Sequence, residues 1–152
     1  MVSLSEVEHS NSSAASTLPS GLVAVFAGAT AGIGETALKA FAKHTVKPKI
    51  YFIGRSREAG DRLLKELNVI NSEGVYEFVQ ADMSLLANVD KVCQDIKSKE
   101  AVVNVLFMSQ GTLKYGVGEF YIDLIMITYL YVQILRMASL SSPVSASTPA
   151  PV

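Results

Sequence analysis

The chain has 152 residues, of which 49% are hydrophobic and 18% charged, and its net charge at pH 7 is −1. This length suffices for one domain with a buried core, and the near-neutral charge gives no electrostatic basis for binding nucleic acid. Cys93 is the only cysteine, and His9 and His44 are the only histidines, so we expect neither a disulfide within the chain nor a metal site.

The first twenty residues are polar and rich in serine. They lack the basic start and the apolar run of a secretory signal, so we expect a cytoplasmic protein. We interpret residues 1–20 as a flexible leader that ends at Pro19 and Ser20.

Four apolar segments of strand length then alternate with three segments of helical periodicity. The predicted strands are 22–27, 49–54, 75–80 and 102–108. The helices between them are predicted from apolar residues at helical spacing, namely Ile33, Ala37 and Phe41; Leu63, Leu67 and Ile70; and Leu85, Val89, Val92 and Ile96. Such alternation produces parallel strands joined by right-handed crossovers, and continuous apolar runs fit strands that are covered on both faces. The sequence therefore predicts an α/β fold with a Rossmann-type doubly wound parallel sheet, incomplete, with about four strands and a following helix.

The pattern changes in the last forty residues. Residues 121–137 are apolar apart from Asp123 and Arg136, and the uncharged stretch 124–135 is shorter than the roughly 20 residues that span a bilayer. We expect a buried helix there, with no membrane span. Residues 139–152 consist mainly of serine, proline and alanine and are expected to be disordered.

The most informative motif lies between the first strand and the first helix of the alternating region. Gly28, Gly32 and Gly34 are spaced G-x-x-x-G-x-G in the segment VAVFAGATAGIGE. Glycines at this point permit a tight turn, allow the backbone to approach a pyrophosphate and let the helix pack against the sheet. The amino terminus of the helix then offers free N–H groups and a partial positive charge to phosphates. The motif predicts a dinucleotide site, and we interpret residues 21–138 as a partial dinucleotide-binding domain.

Three segments together resemble the short-chain dehydrogenase/reductase family, and the chain is most similar to fungal members from secondary-metabolite pathways. The segment AGATAGIGE is similar to the family fingerprint T-G-x-x-x-G-I-G, with Ala27 in place of the threonine. ADMS resembles the family segment whose aspartate contacts the adenine, and FMSQG resembles the N-x-A-G stretch, with Ser109 and Gln110 replacing Asn-Ala. The resemblance implies cofactor contacts at Gly28, Thr30, Gly32, Ile33, Gly34, Asp82 and Gly111.

Cofactor preference is predicted from the end of the second strand. Enzymes that prefer NAD usually carry an acidic residue there, which binds the ribose 2′-hydroxyl. This chain instead has Arg55 and Arg57, whose guanidinium groups suit a 2′-phosphate, so we expect NADP(H) rather than NAD(H). The alternative is that both arginines are solvated charges before a helix.

The family's catalytic residues have no counterpart in these 152 residues, so we assign no catalytic residue. The resemblance implies a serine and a Tyr-x-x-x-Lys pair, but the residue four positions after each of the six tyrosines is Arg, Gln, Glu, Ile, Gln or Leu. Tyr51, followed by Arg55, is explained by sheet packing. We expect a chain truncated to the cofactor-binding half and inactive alone.

The resemblance implies an NADP(H)-dependent oxidoreductase that acts on a carbonyl or alcohol of a small metabolite, in a fungal secondary-metabolite pathway. It also implies a homo-oligomer formed through the 121–137 helix. Two alternatives remain open: a non-catalytic dinucleotide-binding remnant or truncated gene product, and a non-redox scaffold with a vestigial glycine turn.

Overall fold

The computed structural model describes residues 2–110, which form four parallel strands with helices on both faces of the sheet. The predicted α/β class is confirmed. The 121–137 segment, the tail and Gly111 lie outside the described residues. The elements in chain order are α1 (Leu4–Thr17), β1 (Val23–Ala27), α2 (Gly32–His44), β2 (Lys49–Gly54), α3 (Arg57–Ile70), β3 (Val75–Gln80), α4 (Leu86–Lys99) and β4 (Val105–Met108).

The strand order is β3-β2-β1-β4, with every neighbouring pair parallel. After β1 the chain adds strands on one side and then crosses to the other side for β4. The order therefore reverses between β1 and β4, and in open parallel sheets ligands bind beyond the carboxyl ends of the strands at such a reversal. A ligand is therefore expected to bind at the turns that follow β1 and β4.

Alternate residues of the central strands face two apolar clusters, one on each side of the sheet. One cluster joins Val25, Ala27, Tyr51 and Ile53 to the buried face of α4, which includes Cys93. The other joins alternate strand residues to α2 and α3, and its buried members are Ala24, Phe26, Ala29, Leu38, Ala42, Ile50, Phe52, Leu63 and Leu67. Burial on both faces explains why the strand sequences show no polar alternation.

Three residues of the predicted apolar helix faces are exposed, namely Ile33, Leu85 and Ile70, of which Ile70 is the last residue of α3 and is 38% exposed. Ile33 is 79% exposed, because α2 buries the adjacent stripe, Gly34, Leu38 and Ala42. Leu85 is 56% exposed, because it is the N-cap of α4 and precedes the first turn. Apolar residues four positions apart can lie on either of two neighbouring stripes of a helix. A short periodic run therefore identifies a helix more securely than it identifies the buried face of that helix.

The fourth strand begins later than the sequence predicted, at Val105 rather than at residue 102. Asn104 accounts for the start, because its backbone N–H donates to Val23 O and its Oδ1 accepts from Val23 N, both at 2.9 Å. The asparagine side chain thus takes one of the hydrogen bonds that a regular ladder would make. Val102 is 38% exposed before that point.

The amino-terminal segment contains a helix over Leu4–Thr17, and the flexibility that we predict for residues 1–20 stays a prediction. Ser3 and Glu6 form a capping box: Ser3 Oγ accepts from Glu6 N at 3.3 Å, and Ser3 N donates to Glu6 Oε2 at 2.7 Å. This pairing satisfies backbone groups at the start of a helix. The sequence interpretation overlooked the capping box. No residue of α1 is buried. None of the helices in residues 2–110 has the length and apolarity to cross a membrane.

Tyr51 packs in the core, as the sequence interpretation proposed. Its side chain is 1% exposed, and its hydroxyl donates to Glu100 Oε1 at 2.5 Å. Lys49 forms an ion pair with the same carboxylate. Burial raises the pKa of the Tyr51 hydroxyl, which keeps the phenol protonated. Tyr51 is thus a structural residue of the sheet.

Candidate functional site

The turns that follow the four strands meet at one edge of the sheet. This edge contains the glycine turn after β1, Arg55 after β2, Asp82 after β3, and Ser109 with Gln110 after β4. Backbone hydrogen bonds connect neighbouring turns, since Ala81 N donates to Gly54 O at 3.0 Å and Ser109 N donates to Ala27 O at 2.9 Å. The residues that the sequence singled out are therefore gathered at one edge, in the order of their strands.

Gly28 begins the glycine turn in a conformation that favours glycine. Its φ is +79°, and its N–H donates to Ile53 O at 3.1 Å. A Cβ at this position would lie 2.4 Å from Gln110 N and 2.6 Å from Gln110 Cα. Glycine is therefore required at position 28 for two reasons: the positive φ of the backbone and the close approach of the chain after β4.

Gly34 allows α2 to pack directly against the turn. A Cβ there would lie 2.3 Å from Ser109 Oγ, 2.4 Å from Gly28 O and 2.9 Å from Ala29 Cα. The N-cap of α2 is Ala31, which supplies no capping hydrogen bond, so no N-cap side chain covers the N–H groups of the first turn. An uncapped helix amino terminus beside a glycine turn is a favourable place for an anion.

Thr30, Gly32 and Ile33 complete the turn. The Thr30 side chain packs against Gly54, where a Cβ would lie 2.2 Å from Thr30 Cγ2. Gly32 has a φ of +59° with open space around it, and Ile33 is exposed beside it. The turn is thus held by β2 on its inner side and open on its outer side.

Ser109, which departs from the family pattern, ties β4 to the glycine turn. Its Oγ donates to Gly28 O at 3.1 Å and lies 3.4 Å from Ala27 O. The hydroxyl thus satisfies carbonyl groups of the turn. Gln110 follows, and both polar atoms of its carboxamide are buried without a hydrogen-bond partner in the described part of the chain.

Arg55 and Asp82 line a cleft of about 600 Å³ between the end of β3 and α4. Asp82 Oδ1 accepts from Ser84 N at 3.0 Å and from Ser84 Oγ at 2.8 Å, and these hydrogen bonds together with the charge of Arg55 lower the pKa of the Asp82 carboxyl. Asn88 Nδ2 donates to Asp82 O at 2.9 Å, which fixes the turn to α4. The cleft therefore combines a cation with an ionised carboxylate.

The sequence interpretation missed one cation of this cleft, and the proposed cofactor contact of Arg57 stays a prediction. Lys91 lies on α4, one turn after Asn88, and lines the cleft with Arg55. Arg57 does not line it, and its Nε lies 3.0 Å from Asp61 Oδ1 within α3. The i, i+3 spacing of Asn88 and Lys91 places both on one helix face, and that spacing could have indicated Lys91.

An ion pair holds α2 against α3 beside the glycine turn. Glu35 accepts from Arg62 Nη1 and Nη2 at 3.0 and 2.8 Å and from Lys39 Nζ at 2.6 Å. Hydrogen bonds from Arg62 and then from Lys39 lower the pKa of the Glu35 carboxyl from 4.5 to about 2. The only carboxylate in the first turn of α2 is thereby paired with Arg62 of α3 and with Lys39 of its own helix.

The depressed pKa of Glu35 predicts an acid-dependent loss of stability. A carboxyl with a folded-state pKa below its unfolded value stabilises the fold above the unfolded pKa, and this contribution is lost as the pH falls from about 5 towards 2. We expect the melting temperature to fall less steeply over this range in Glu35→Gln than in the wild-type chain. Thermal melts by circular dichroism would measure both slopes, with the exposed Glu58→Gln as the control. Equal slopes for wild type and Glu35→Gln would contradict the assignment.

Comparison with known proteins gives consistent matches. The family model described as short chain dehydrogenase matches residues 22–121, which is more than half of the chain. An NmrA-like family domain-containing oxidoreductase, notO, from Aspergillus sp. is 42% identical over 117 residues, which cover 76% of this chain and 35% of that protein. Oxidoreductase andH of Emericella variicolor is 41% identical over 112 residues, which cover 74% and 33% of the two chains. The chain thus spans about a third of the length of these curated relatives.

Solved structures match the fold. L-sorbose reductase from Gluconobacter frateurii, in complex with NADPH and L-sorbose, superposes with a TM-score of 0.63 at 20% identity, over 78% of this chain and 48% of that one. Pseudomonas aeruginosa RhlG, in an NADP active-site complex, superposes with a TM-score of 0.65 at 22% identity, over 86% and 51% of the two chains. At these identities the likeness concerns the fold alone.

Proposed function

The chain belongs to the short-chain dehydrogenase family, and from this premise we propose that residues 21–138 form the dinucleotide-binding part of an NADP(H)-dependent oxidoreductase. The observation that carries the proposal is the glycine cradle, which we define as Gly28, Gly34 and the first turn of α2. A Cβ at Gly28 or Gly34 would collide with neighbouring backbone. Because glycine has no side chain at these two positions, a ligand can come close to the backbone N–H groups of the turn. Such a surface fits a pyrophosphate.

The described residues also fit the rest of a dinucleotide. The cleft beside the cradle holds Arg55, Asp82 and Lys91, and it is reached from the cradle across the end of β2. We propose that Asp82 binds the adenine and that Arg55 binds the 2′-phosphate, with Lys91 adding positive charge to the cleft. Arg57 contributes less, because Asp61 already pairs with it. Gly111, outside the described residues, is proposed to contact the cofactor from the end of β4.

The proposed roles of the protein residues are binding and orientation. When bound, the nicotinamide supplies or accepts a hydride. The first turn of α2 would neutralise the diphosphate, Ser109 would hold the turn against β4 through Gly28 O, and Arg55 would select the phosphorylated ribose. None of the described residues is assigned a proton-transfer role.

The proposal extends to the class of substrate. The relatives come from Aspergillus and Emericella species and are named oxidoreductases. On this support we propose that the whole protein reduces a carbonyl or oxidises an alcohol of a small metabolite in fungal secondary metabolism. A homo-oligomer through residues 121–137 and a cytoplasmic location remain part of the proposal.

Arg55→Asp tests cofactor preference. Because the variant removes a charge-assisted contact to the 2′-phosphate, worth about 1.5–3 kcal/mol, we expect the Kd for NADPH to rise by about 10- to 150-fold. The Kd for NADH, which has no 2′-phosphate, should change less than threefold. Fluorescence titration of both cofactors would measure these values.

Lys65→Asp is the matched control, because it makes the same charge change at an exposed position of α3 away from the cleft. It should leave both Kd values within about twofold, since exposed charges at this distance are largely screened. Equal losses for NADPH and NADH in Arg55→Asp would show that Arg55 does not read the 2′-phosphate.

A further inference from the structure

The carboxamide of Gln110 is a polar group that the fold leaves unsatisfied. Gln110 directly follows Ser109 at the end of β4, and its backbone lies against Gly28 in the glycine cradle. Both Oε1 and Nε2 are buried, and neither has a hydrogen-bond partner within residues 2–110. The neighbouring Ser109 hydroxyl, by contrast, is hydrogen-bonded to the turn.

An unpaired buried amide is costly, because it has lost its hydrogen bonds to water and gained none in return. Buried polar side chains are therefore almost always paired, and an exception needs a specific explanation. This amide lies at the point where the strand order reverses, which is where ligands of such sheets bind. Its position thus favours a ligand as the missing partner.

The chemistry of the amide narrows the kind of partner. Both a donor, Nε2, and an acceptor, Oε1, are unsatisfied. A phosphate oxygen at neutral pH accepts hydrogen bonds but would leave Oε1 unpaired. A ribose hydroxyl both donates and accepts, so a sugar hydroxyl can satisfy either atom and a pair of hydroxyls can satisfy both.

We infer that the Gln110 carboxamide binds a ribose hydroxyl of the dinucleotide, an inference that rests on the proposed function. Gln110 is then a cofactor-binding residue outside the family pattern, since it stands where that pattern has an alanine without polar atoms. The glycine cradle holds the diphosphate, and Gln110 fixes a sugar beside it. In the ligand-free protein, the Gln110 amide should contribute no favourable free energy to folding.

The test is Gln110→Met, which keeps the length of the side chain and removes its hydrogen-bonding groups. We expect the melting temperature of the ligand-free chain to stay unchanged or to rise, because a buried unpaired amide is removed. The Kd for NADPH should rise by about 2- to 12-fold, the effect of losing one hydrogen bond between neutral groups. Gln94→Met, the same change at an exposed position of α4, should alter neither value.

Two fragments of the cofactor distinguish the two riboses. Weaker binding of adenosine 2′,5′-bisphosphate to Gln110→Met would place the contact in the adenosine half of the cofactor, and weaker binding of reduced nicotinamide mononucleotide would place it in the nicotinamide half. Affinity that falls for NADPH but for neither fragment would overturn the ribose contact.

A second measurement uses the wild-type chain and does not depend on the folding of Gln110→Met. The four glutamines give few side-chain amide signals in a spectrum of the chain labelled with ¹⁵N at glutamine. Gln80→Met, Gln94→Met and Gln133→Met would assign three of them by subtraction, which leaves the signals of Gln110. We expect the Gln110 signals to shift and to exchange more slowly with solvent when NADPH is added.

The outcomes separate this inference from the proposed function. Tight NADPH binding that is equal in wild type and Gln110→Met, or Gln110 signals that do not shift, would overturn the inference alone. A marked loss of ligand-free stability in Gln110→Met would also overturn it, because the amide would then be paired within the protein. Failure of the wild-type chain to bind any dinucleotide would overturn both.

Discussion

Gly28→Ala is expected to lower the affinity for NADPH and for NADH by 100-fold or more. The new Cβ would lie 2.4 Å from Gln110 N, so the turn after β1 or the chain after β4 must move. Either movement displaces the backbone N–H groups that face the diphosphate. Loss of two charge-assisted hydrogen bonds, each worth about 1.5–3 kcal/mol, accounts for a change of this size. Isothermal titration calorimetry with both cofactors would measure it.

Gly21→Ala is a matched control, because Gly21 has the same φ of +79° but open space where its Cβ would lie. Both variants carry the strain of a left-handed residue, about 1–2 kcal/mol, and only Gly28→Ala adds a collision at the site. We therefore expect both to melt at lower temperature, and only Gly28→Ala to lose cofactor affinity. A folded Gly28→Ala chain that binds NADPH as tightly as Gly21→Ala would refute the glycine cradle.

The elements of the fold were largely predictable because each strand is an uninterrupted apolar run. The sequence placed β2 and β3 at the observed bounds. The apolar face of α2 was predicted correctly at Ala37 and Phe41, which pack against the core, and wrongly at Ile33, because Gly34 is the buried residue of the first turn and glycine carries no hydropathy signal. Helix α1 was missed because its stability derives in part from a capping box rather than from apolar periodicity.

The candidate site was predictable where it depends on backbone conformation and less so where it depends on long-range packing. Gly28 and Gly34 follow from their spacing, because only glycine permits the turn and the close packing. Lys91 reaches the Arg55 cleft because α4 packs beside β3; the i, i+3 spacing places Lys91 on one helix face with Asn88 but does not say which strand that face meets. The buried amide of Gln110 likewise depends on where β4 lies relative to β1.

The 152-residue polypeptide alone is expected not to consume NADPH in the presence of ketones or quinones at a rate above that of its Gly28→Ala variant. Hydride transfer to a carbonyl leaves an alkoxide that must take up a proton, and general acid catalysis of this kind contributes about 10²- to 10⁴-fold. None of the six tyrosines has a lysine four residues later, and the buried hydroxyl of Tyr51 is bound to Glu100. Absorbance of NADPH at its reduced-nicotinamide band would follow the reaction.

A chimera tests whether the cofactor site is competent when an acid is supplied. Residues 1–110 would be joined to the carboxyl-terminal part of a family member that contains a serine and a Tyr-x-x-x-Lys pair. We expect turnover to appear in the chimera, and to be lost again when the pair's tyrosine is replaced by phenylalanine or when Gly28→Ala is introduced. Turnover by the 152-residue chain itself would instead indicate an acid within it, with Tyr115 and Tyr129, outside the described residues, as the first to replace. A folded chimera that binds NADPH but stays inactive would favour a dinucleotide-binding protein without catalysis, because positioning of the nicotinamide by the glycine cradle would then be insufficient for hydride transfer.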